Sequence, residues 1–306
     1  MTTHPSLLLV GTGALASLFG ARLAAAGVHV TMLGTWPEGL AALGEHGVRL
    51  VEAGSAERAW PVRVAADPAE CRDIPYALVL VKAWQTGRAA QQLAVCLPVD
   101  GLALTLQNGW GNRETLAQAL GPQRVALGTT TLGATLLAPG VVRAGGQGPV
   151  TLGSHPRVGP LAGLLAEAGF DVRMAEDVAG LAWGKLVINA AINPLTALLR
   201  VPNGELLTRP EARELMGLAA AEAAAVGIAQ GLRLPFTDPV AAAEDVACRT
   251  AANHSSMYQD VQRGRPSEID AICGAVVQAG QRVGVPTPVN RTLWLLVRAA
   301  SGVRVE

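Results

Sequence analysis

Lys185, Asn189 and Asn193 stand four residues apart in the run Leu181-Ala-Trp-Gly-Lys-Leu-Val-Ile-Asn-Ala-Ala-Ile-Asn193. On a helix that spacing lines one ammonium and two carboxamides along one side. Such a set suits giving up a proton to a ligand whose polar groups are gripped by amides. The use of lysine is informative. Among the 24 basic residues only Lys82 and Lys185 are lysine. Arginine stays protonated at any accessible pH, whereas the compact lysine ammonium shifts its pKa when buried. A compositional bias toward Ala, Gly and Arg explains why lysine is scarce but not where the two remain. Lys82 follows an apolar run at 77–81, at the end of a predicted strand.

The surroundings of Lys185 place a demand on the fold. Leu181, Trp183, Leu186, Val187, Ile188 and Ile192 point almost all round a helical wheel, which predicts a buried helix. An unpaired buried charge is very costly, so the three polar heads require a polar cavity. Asn193 precedes Pro194 and suits the N-cap of a new helix with proline first, so helices are predicted over 179–192 and 194–200. Later, Asn253-His254-Ser255-Ser256-Met257-Tyr258-Gln259-Asp260 leads to Arg265-Pro266-Ser267-Glu268-Ile269-Asp270. Ser267 reads as an N-cap, with Glu268 and Asp270 in the first turn where acids favour the dipole. His254 has no carboxylate at triad spacing and is given no role.

A second group of residues lies near the start. After Leu7-Leu8-Leu9-Val10 comes Gly11-Thr12-Gly13-Ala14-Leu15-Ala16, a GxGxxA between a predicted strand and a predicted helix. There Gly11 permits the tight bend and Gly13 lets a pyrophosphate approach the backbone. Ala16 lets helix and strand pack closely, and the helix N-terminus offers unpaired N–H groups. This is the context of a dinucleotide site. The next strand ends Leu33-Gly34-Thr35-Trp36, with no Asp or Glu to grip a ribose diol. That favours a 2′-phosphate, for which Thr35 and Lys82 are the available donors, although no arginine stands there. Asn108, in Gln107-Asn108-Gly109-Trp110-Gly111, follows the strand at 102–106 and falls where ligands of open α/β sheets bind. Asn-Gly is equally a turn dipeptide.

Strands predicted at 7–10, 29–33, 77–81, 102–106 and 125–128 alternate with helical stretches at 14–26, 86–96 and 112–120, the pattern of a parallel sheet covered by helices. Runs at 141–144 and 150–153 flank Gly145-Gly146-Gln147-Gly148 and read as antiparallel strands closing one edge. Beyond about 178 the strands vanish. Helices are predicted at 209–230, 239–262, 267–283 and 290–300, with Pro210, Pro239, Pro266, Pro286 and Pro288 at boundaries. The expected fold class is α/β, a Rossmann-type dinucleotide-binding domain over residues 1–177 followed by an all-helical domain over 178–306.

Composition narrows the partners. With 24 acidic against 24 basic residues, dispersed along the chain, there is no pull toward nucleic acid or an anionic membrane. The apolar stretch 6–28 has no basic residue before Arg22 and is broken by glycines, so it reads as strand, turn and helix, not as a signal or span. Cys71, Cys96, Cys248 and Cys273 are widely spaced and read as small buried hydrophobes in a reducing cytoplasm. No Cys/His/Asp cluster points to a metal.

Together GTGALASLFGARLA, VKAWQ, QNGWGN, GKLVINAAINPLTALL with VPNGEL, and SSMYQD with EID resemble the ketopantoate reductase family, in the family's order and across residues 11 to 270. The resemblance implies a homodimer reducing the 2-oxo acid 2-dehydropantoate to pantoate with NADPH, in the biosynthesis of pantothenate and coenzyme A. It implies Lys185 as proton donor and Glu268 as the acid at the cofactor–substrate junction. Asn108, Asn189, Asn193, Asn203, Asn253 and Ser256 become substrate contacts. Gly11, Thr12, Gly13, Ala14, Leu15, Ala16, Thr35, Lys82, Asn108, Ala134 and Glu268 become cofactor contacts. The family often carries an arginine after the second strand; Thr35 departs from this and leaves NADH open. The rival readings are a related reductase for another 2-oxo acid, a β-hydroxy acid or an imine, and a non-catalytic dinucleotide sensor, which would need no buried lysine.

Overall fold

The computed structural model describes residues 5–52 and 54–301. The chain forms two compact units. One contains Met1–Gln107 and Asn112–Val178; the other contains Asn108–Gly111 and Ala179–Glu306.

In chain order the first unit holds β1 (Ser6–Val10), α1 (Ala14–Ala25), β2 (His29–Leu33), α2 (Pro37–His46), β3 (Val48–Val51), β4 (Arg58–Trp60) and β5 (Arg63–Ala65). It continues with β6 (Tyr76–Val79), α3 (Thr86–Cys96), β7 (Leu102–Thr105), α4 (Asn112–Leu120), β8 (Val125–Thr130), β9 (Ala134–Ala138) and β10 (Val141–Ala144). Last come β11 (Val150–Gly153), α5 (Gly159–Glu167) and β12 (Val172–Ala175), before the chain enters α6 (Val178–Leu199). Eight strands form one sheet in the order β12-β11-β8-β7-β6-β1-β2-β5, and four form a second, β4-β3-β10-β9. Strand alternation explains why the large sheet is covered on both faces. Leu7 and Leu9 of β1 enter one core with α1, while Leu8 and Val10 enter another with α3 and α4. Chain order reverses around β1, which pairs in parallel with both β2 and β6. The crevice at their carboxyl ends is therefore the expected ligand position.

The runs at 141–144 and 150–153 do not form a hairpin. β10 pairs with β9 and β3 in the small sheet, while β11 enters the large one, antiparallel to β8 and parallel to the true edge strand β12. The glycines between them carry the chain from sheet to sheet. Gly133 and Gly145 pack backbone to backbone there, with Gly145 N–H on Gly133 O at 2.8 Å.

The second unit is helical: the rest of α6, then α7 (Glu205–Thr208), α8 (Pro210–Ala229), α9 (Pro239–Arg249), α10 (Ser256–Gln262), a π-helical turn (Asp270–Gly274), α11 (Ala275–Val283) and α12 (Pro288–Ala300). By length and composition α6 alone among the described helices could cross a membrane. Instead its Trp183, Leu186, Val187, Ala190 and Ala191 lie in the core of this unit. α12 has no cap from its own Thr287. Glu222 of α8 supplies one, accepting from Val289 N–H, Asn290 N–H and Asn290 Nδ2, each at 2.9 Å.

Three expectations change here. Pro194 does not start a helix; α6 runs through it. Proline removes the N–H that would bond Ala190 O, and the Cys273 thiol takes that carbonyl at 3.8 Å. Thr196 Oγ1 meanwhile bonds the Ile192 and Asn193 carbonyls at 3.0 Å. The stretch 239–262 is two helices, separated at 250–255 and restarted by Ser255, whose Oγ accepts from Tyr258 N–H at 3.0 Å. Ser267 caps nothing: its buried Oγ has no hydrogen-bond partner, and the helix beyond opens as a π-turn.

Candidate active site

In the first unit the carboxyl ends of β6, β1 and β2 are stitched together around Gly11. Its N–H donates to Leu33 O at 2.8 Å, and Leu80 N–H donates to Val10 O at 3.0 Å. Gly11 has φ +128, and a Cβ there would lie 3.3 Å from the Leu80 carbonyl carbon, so only glycine fits comfortably. Gly34 presses so closely on Thr12 that a Cβ would fall 2.6 Å from Thr12 Cγ2; this brings the glycine turn and exposed Thr35 together. At Gly13 a Cβ would meet nothing within 4 Å. That open face lies directly before α1, whose N-terminus has no side-chain cap and no acid in its first turn. Ala14, Leu15 and Ala16 thus offer first-turn N–H groups and the positive end of the helix dipole. A pyrophosphate fits both the room and the charge. Ala134 opens β9, half-buried on the same apolar cluster as Ala14 and Leu15.

Lys82 follows β6, half-buried, and its N–H donates to Gln85 Oε1 at 3.3 Å. Around it lies a polar network that sequence reasoning missed. Gln107 Nε2 donates to Val81 O and to Thr86 Oγ1, both at 2.9 Å, and Gln107 Oε1 accepts from Thr105 Oγ1 at 2.9 Å. Thr86 Oγ1 also lies 2.8 Å from Asn112 Oδ1. Gln107 and Asn112 therefore meet on one buried hydroxyl and pinch the base of the segment Asn108–Gly111. The GxGxxA pattern advertises itself in sequence; a glutamine and a threonine near strand ends do not.

In the second unit Lys185, Asn189 and Asn193 follow one another along α6. Lys185 and Asn189 are half-buried and Asn193 is buried. Protein crowding desolvates the Lys185 ammonium and pushes its pKa down to about 8, while the Glu268 carboxylate pulls it part of the way back. Glu268 is itself buried, at 6 % exposure. The helix is fixed in place by Trp183, whose Nε1 donates to Ala223 O at 2.9 Å where Gly227 leaves room for the ring.

Beyond Asn193, Thr196 Oγ1 lies 2.8 Å from Ser255 Oγ, which ties α6 to the start of α10 and hence to half-buried Ser256. Asn203 N–H donates to Asn253 O at 2.9 Å, and Asn203 Nδ2 donates to Thr250 Oγ1 at 2.8 Å. The buried Asn203 Oδ1 is left without a partner. Asn253 is exposed, and its backbone does the pairing. Asn108 leads into Gly109 and Trp110, and Trp110 N–H donates to Ala271 O at 2.8 Å, inside the π-turn after Glu268. Lys185 and Glu268 are thus brought together, with Asn189 and Asn193 on the same helix. Asn108 and Ser256 are anchored to the elements carrying that pair. His254 stacks on Tyr258 at 4.4 Å and is exposed.

A mostly parallel sheet with a glycine turn before an uncapped helix, followed in the chain by a helical unit holding a desolvated lysine beside a glutamate, is the set of parts an oxidoreductase uses. Two family models match the chain: ketopantoate reductase PanE/ApbA over residues 7–157, and the C-terminal part of the same family over residues 177–301. A 2-dehydropantoate 2-reductase from Halobacterium salinarum is 36% identical over 300 residues, covering 96% of this chain and 98% of the relative. A PanE/ApbA family ketopantoate reductase from Ralstonia eutropha JMP134 superposes with a TM-score of 0.90 at 32% identity, over 97% of this chain and 98% of that one. D-mandelate dehydrogenase, solved with NADH and anilino(oxo)acetate, does so with a TM-score of 0.89 at 26% identity over the same shares. The chain belongs to the ketopantoate reductase family.

Proposed function

We propose that the protein is a 2-dehydropantoate 2-reductase, reducing ketopantoate to (R)-pantoate with NADPH in the biosynthesis of pantothenate and coenzyme A. The observation that carries the reading is Lys185, an ammonium with its pKa brought to about 8 on a helix that also presents Asn189 and Asn193, with Glu268 as its counter-charge. A group that loses its proton near neutral pH suits general-acid work.

When bound, the reduced nicotinamide supplies the hydride. Lys185 hydrogen-bonds the ketone oxygen, stabilises the negative charge that develops there and delivers the proton. Asn189, Asn193, Asn253, Ser256 and Asn108 hold the substrate's carboxylate and hydroxyl, and the unpaired Asn203 Oδ1 supports a contact with a hydroxyl donor. Gly11 to Ala16 would receive the pyrophosphate and Thr35 and Lys82 the 2′-phosphate, with Ala134 and Glu268 as further cofactor contacts. Residues 1–177 serve as the cofactor domain and 178–306 as the substrate and dimerisation domain. Leu215, Leu218, Leu295 and Leu296 on α8 and α12 are exposed, apolar area that a second copy would cover. Cys71, Cys96 and Cys273 are buried as expected and Cys248 is exposed, against expectation; four free thiols suit a reducing cytoplasm.

A second reading is a reductase of the same design acting on another 2-oxo acid with NADH. The absence of an arginine at Thr35 favours it, as does the likeness to D-mandelate dehydrogenase. The deciding assay is loss of reduced-nicotinamide absorbance with ketopantoate, run separately with NADPH and NADH. Saturable oxidation faster with NADPH supports the first reading. Slow turnover of ketopantoate beside fast turnover of a bulkier 2-oxo acid with NADH would replace it with the second.

A further inference from the structure

Glu268 is followed by the π-helical turn Asp270–Gly274, and several unusual contacts converge on it from outside. The turn is closed by Gly274 N–H on Ile269 O at 3.0 Å, five residues back, while Ile272 N–H bonds Glu268 O at 3.0 Å. Trp110 N–H takes the Ala271 carbonyl at 2.8 Å. That approach depends on Gly109, at φ +86, where a Cβ would sit 2.6 Å from Ala271 Cβ. The Trp110 ring then stands edge-on to Trp183, centroids 4.9 Å apart, two residues before Lys185. On the other side, Cys273 reaches the Ala190 carbonyl left unpaired by Pro194, between Lys185 and Asn193. Trp294 Nε1 donates to Asp270 Oδ1 at 2.6 Å, and a Cβ on Gly274 would press to 3.1 Å from the same indole.

These contacts have a common consequence. The backbone that carries Glu268 and the helix that carries Lys185 are bolted together at two points, one through Trp110 and one through Cys273. π-turns persist where surrounding contacts over-determine them, and they recur at functional sites. We propose that the turn Asp270–Gly274 is a positioning device that sets the Glu268 carboxylate against the Lys185 ammonium, with Trp110 and Cys273 as the positioning residues that lock it. The proposal rests on the assignment of Lys185 as proton donor, but its first test does not require turnover.

The chain has two lysines, so protein labelled with 13C at lysine Cε gives two resonances to follow against pH, and Lys82→Arg assigns them. Glu268→Gln removes the charge that raises the Lys185 pKa and should lower its midpoint by about 1–3 units. Trp110→Ala and Cys273→Ala should each reproduce part of that fall, and Trp110→Phe, which keeps an aromatic edge on Trp183, should restore it. Cys248→Ala, the same change at an exposed thiol, should leave the midpoint where it is. In the reductase assay the two positioning variants should lose on the order of 10–100-fold in kcat with little change in KM, the scale of a misplaced catalytic group. Gly109→Ala should behave like Trp110→Ala. Folded Trp110→Ala and Cys273→Ala proteins with an unmoved Lys185 midpoint would overturn the proposal. A wild-type protein that turns over no 2-oxo acid but shows the midpoint shifts would overturn the functional assignment and leave the positioning device standing.

Discussion

In the proposed mechanism the chemistry centres on Lys185, where two opposing effects meet on one nitrogen. Burial disfavours its charge and Glu268 favours it, with burial the larger, so the group titrates near 8 in place of 10.5. With Lys185 as the proposed proton donor, reduction needs its protonated form, so kcat/KM for the 2-oxo acid should fall above about pH 8, while the reverse oxidation should rise over the same interval. Lys185→Ala should lower kcat by about 10²–10⁴-fold and abolish that limb, with cofactor binding kept; a variant retaining most of its turnover would remove Lys185 from the mechanism. The same shift fixes a stability trend. The folded chain releases this proton more easily than the unfolded one, so between about 8 and 10.5 stability gains with rising pH. Below that window the buried charge weighs in full, and above it the contribution is gone. Lys185→Met should lack the gain, as thermal melts across the interval would report.

At the level of elements, α12 depends on a carboxylate borrowed from α8. Replacing Glu222 by Ala leaves two first-turn amides and the Asn290 side chain without that acceptor. Loss of a cap costs about 0.5–2 kcal/mol, which calorimetry should register as a melting point lower by a few degrees; Glu222→Gln, which keeps an acceptor, should recover most of it. Long apolar runs and glycine or proline punctuation made β1, β2, β6, β7, β8, α1, α3, α4 and α8 readable from sequence. Each of the short strands β3, β4, β5 and β12 carries an arginine that interrupts its apolar run, which the equally short β6 and β7 lack. Pro194 misled because its usual meaning, a helix start, was overridden by Cys273 and Thr196 from within the fold. The π-turn had no signal at all: Ser267-Glu268-Ile269-Asp270 spells an ordinary N-terminus, and only Gly109, Trp110 and Trp294, distant in sequence, make it otherwise. The Lys185, Asn189, Asn193 spacing was legible because one helix carries all three, whereas the network of Thr86, Gln107 and Asn112 comes from three elements.

For the molecule as a whole, the proposed homodimer would cover the exposed leucines of α8 and α12, and a balanced charge gives no pull toward polyanions. Sedimentation equilibrium should give twice the 31.4 kDa chain mass; a monomer at micromolar concentration would reject the homodimer. The chain also crosses between its units three times, since Asn108–Gly111 belongs with the helices although it is flanked on both sides by residues of the sheet unit. That excursion has a consequence for biosynthesis. Trp110 leaves the ribosome about 160 residues ahead of Ala271, a long delay for a contact whose partner lies so far along the chain. The sheet unit can close on its strands while translation continues, yet it holds out an aromatic side chain whose seat has not been made. Until the last third of the polypeptide emerges that indole lacks part of its seat, as the apolar faces of α6 and α8 lack part of theirs, and each is surface a chaperone would shield.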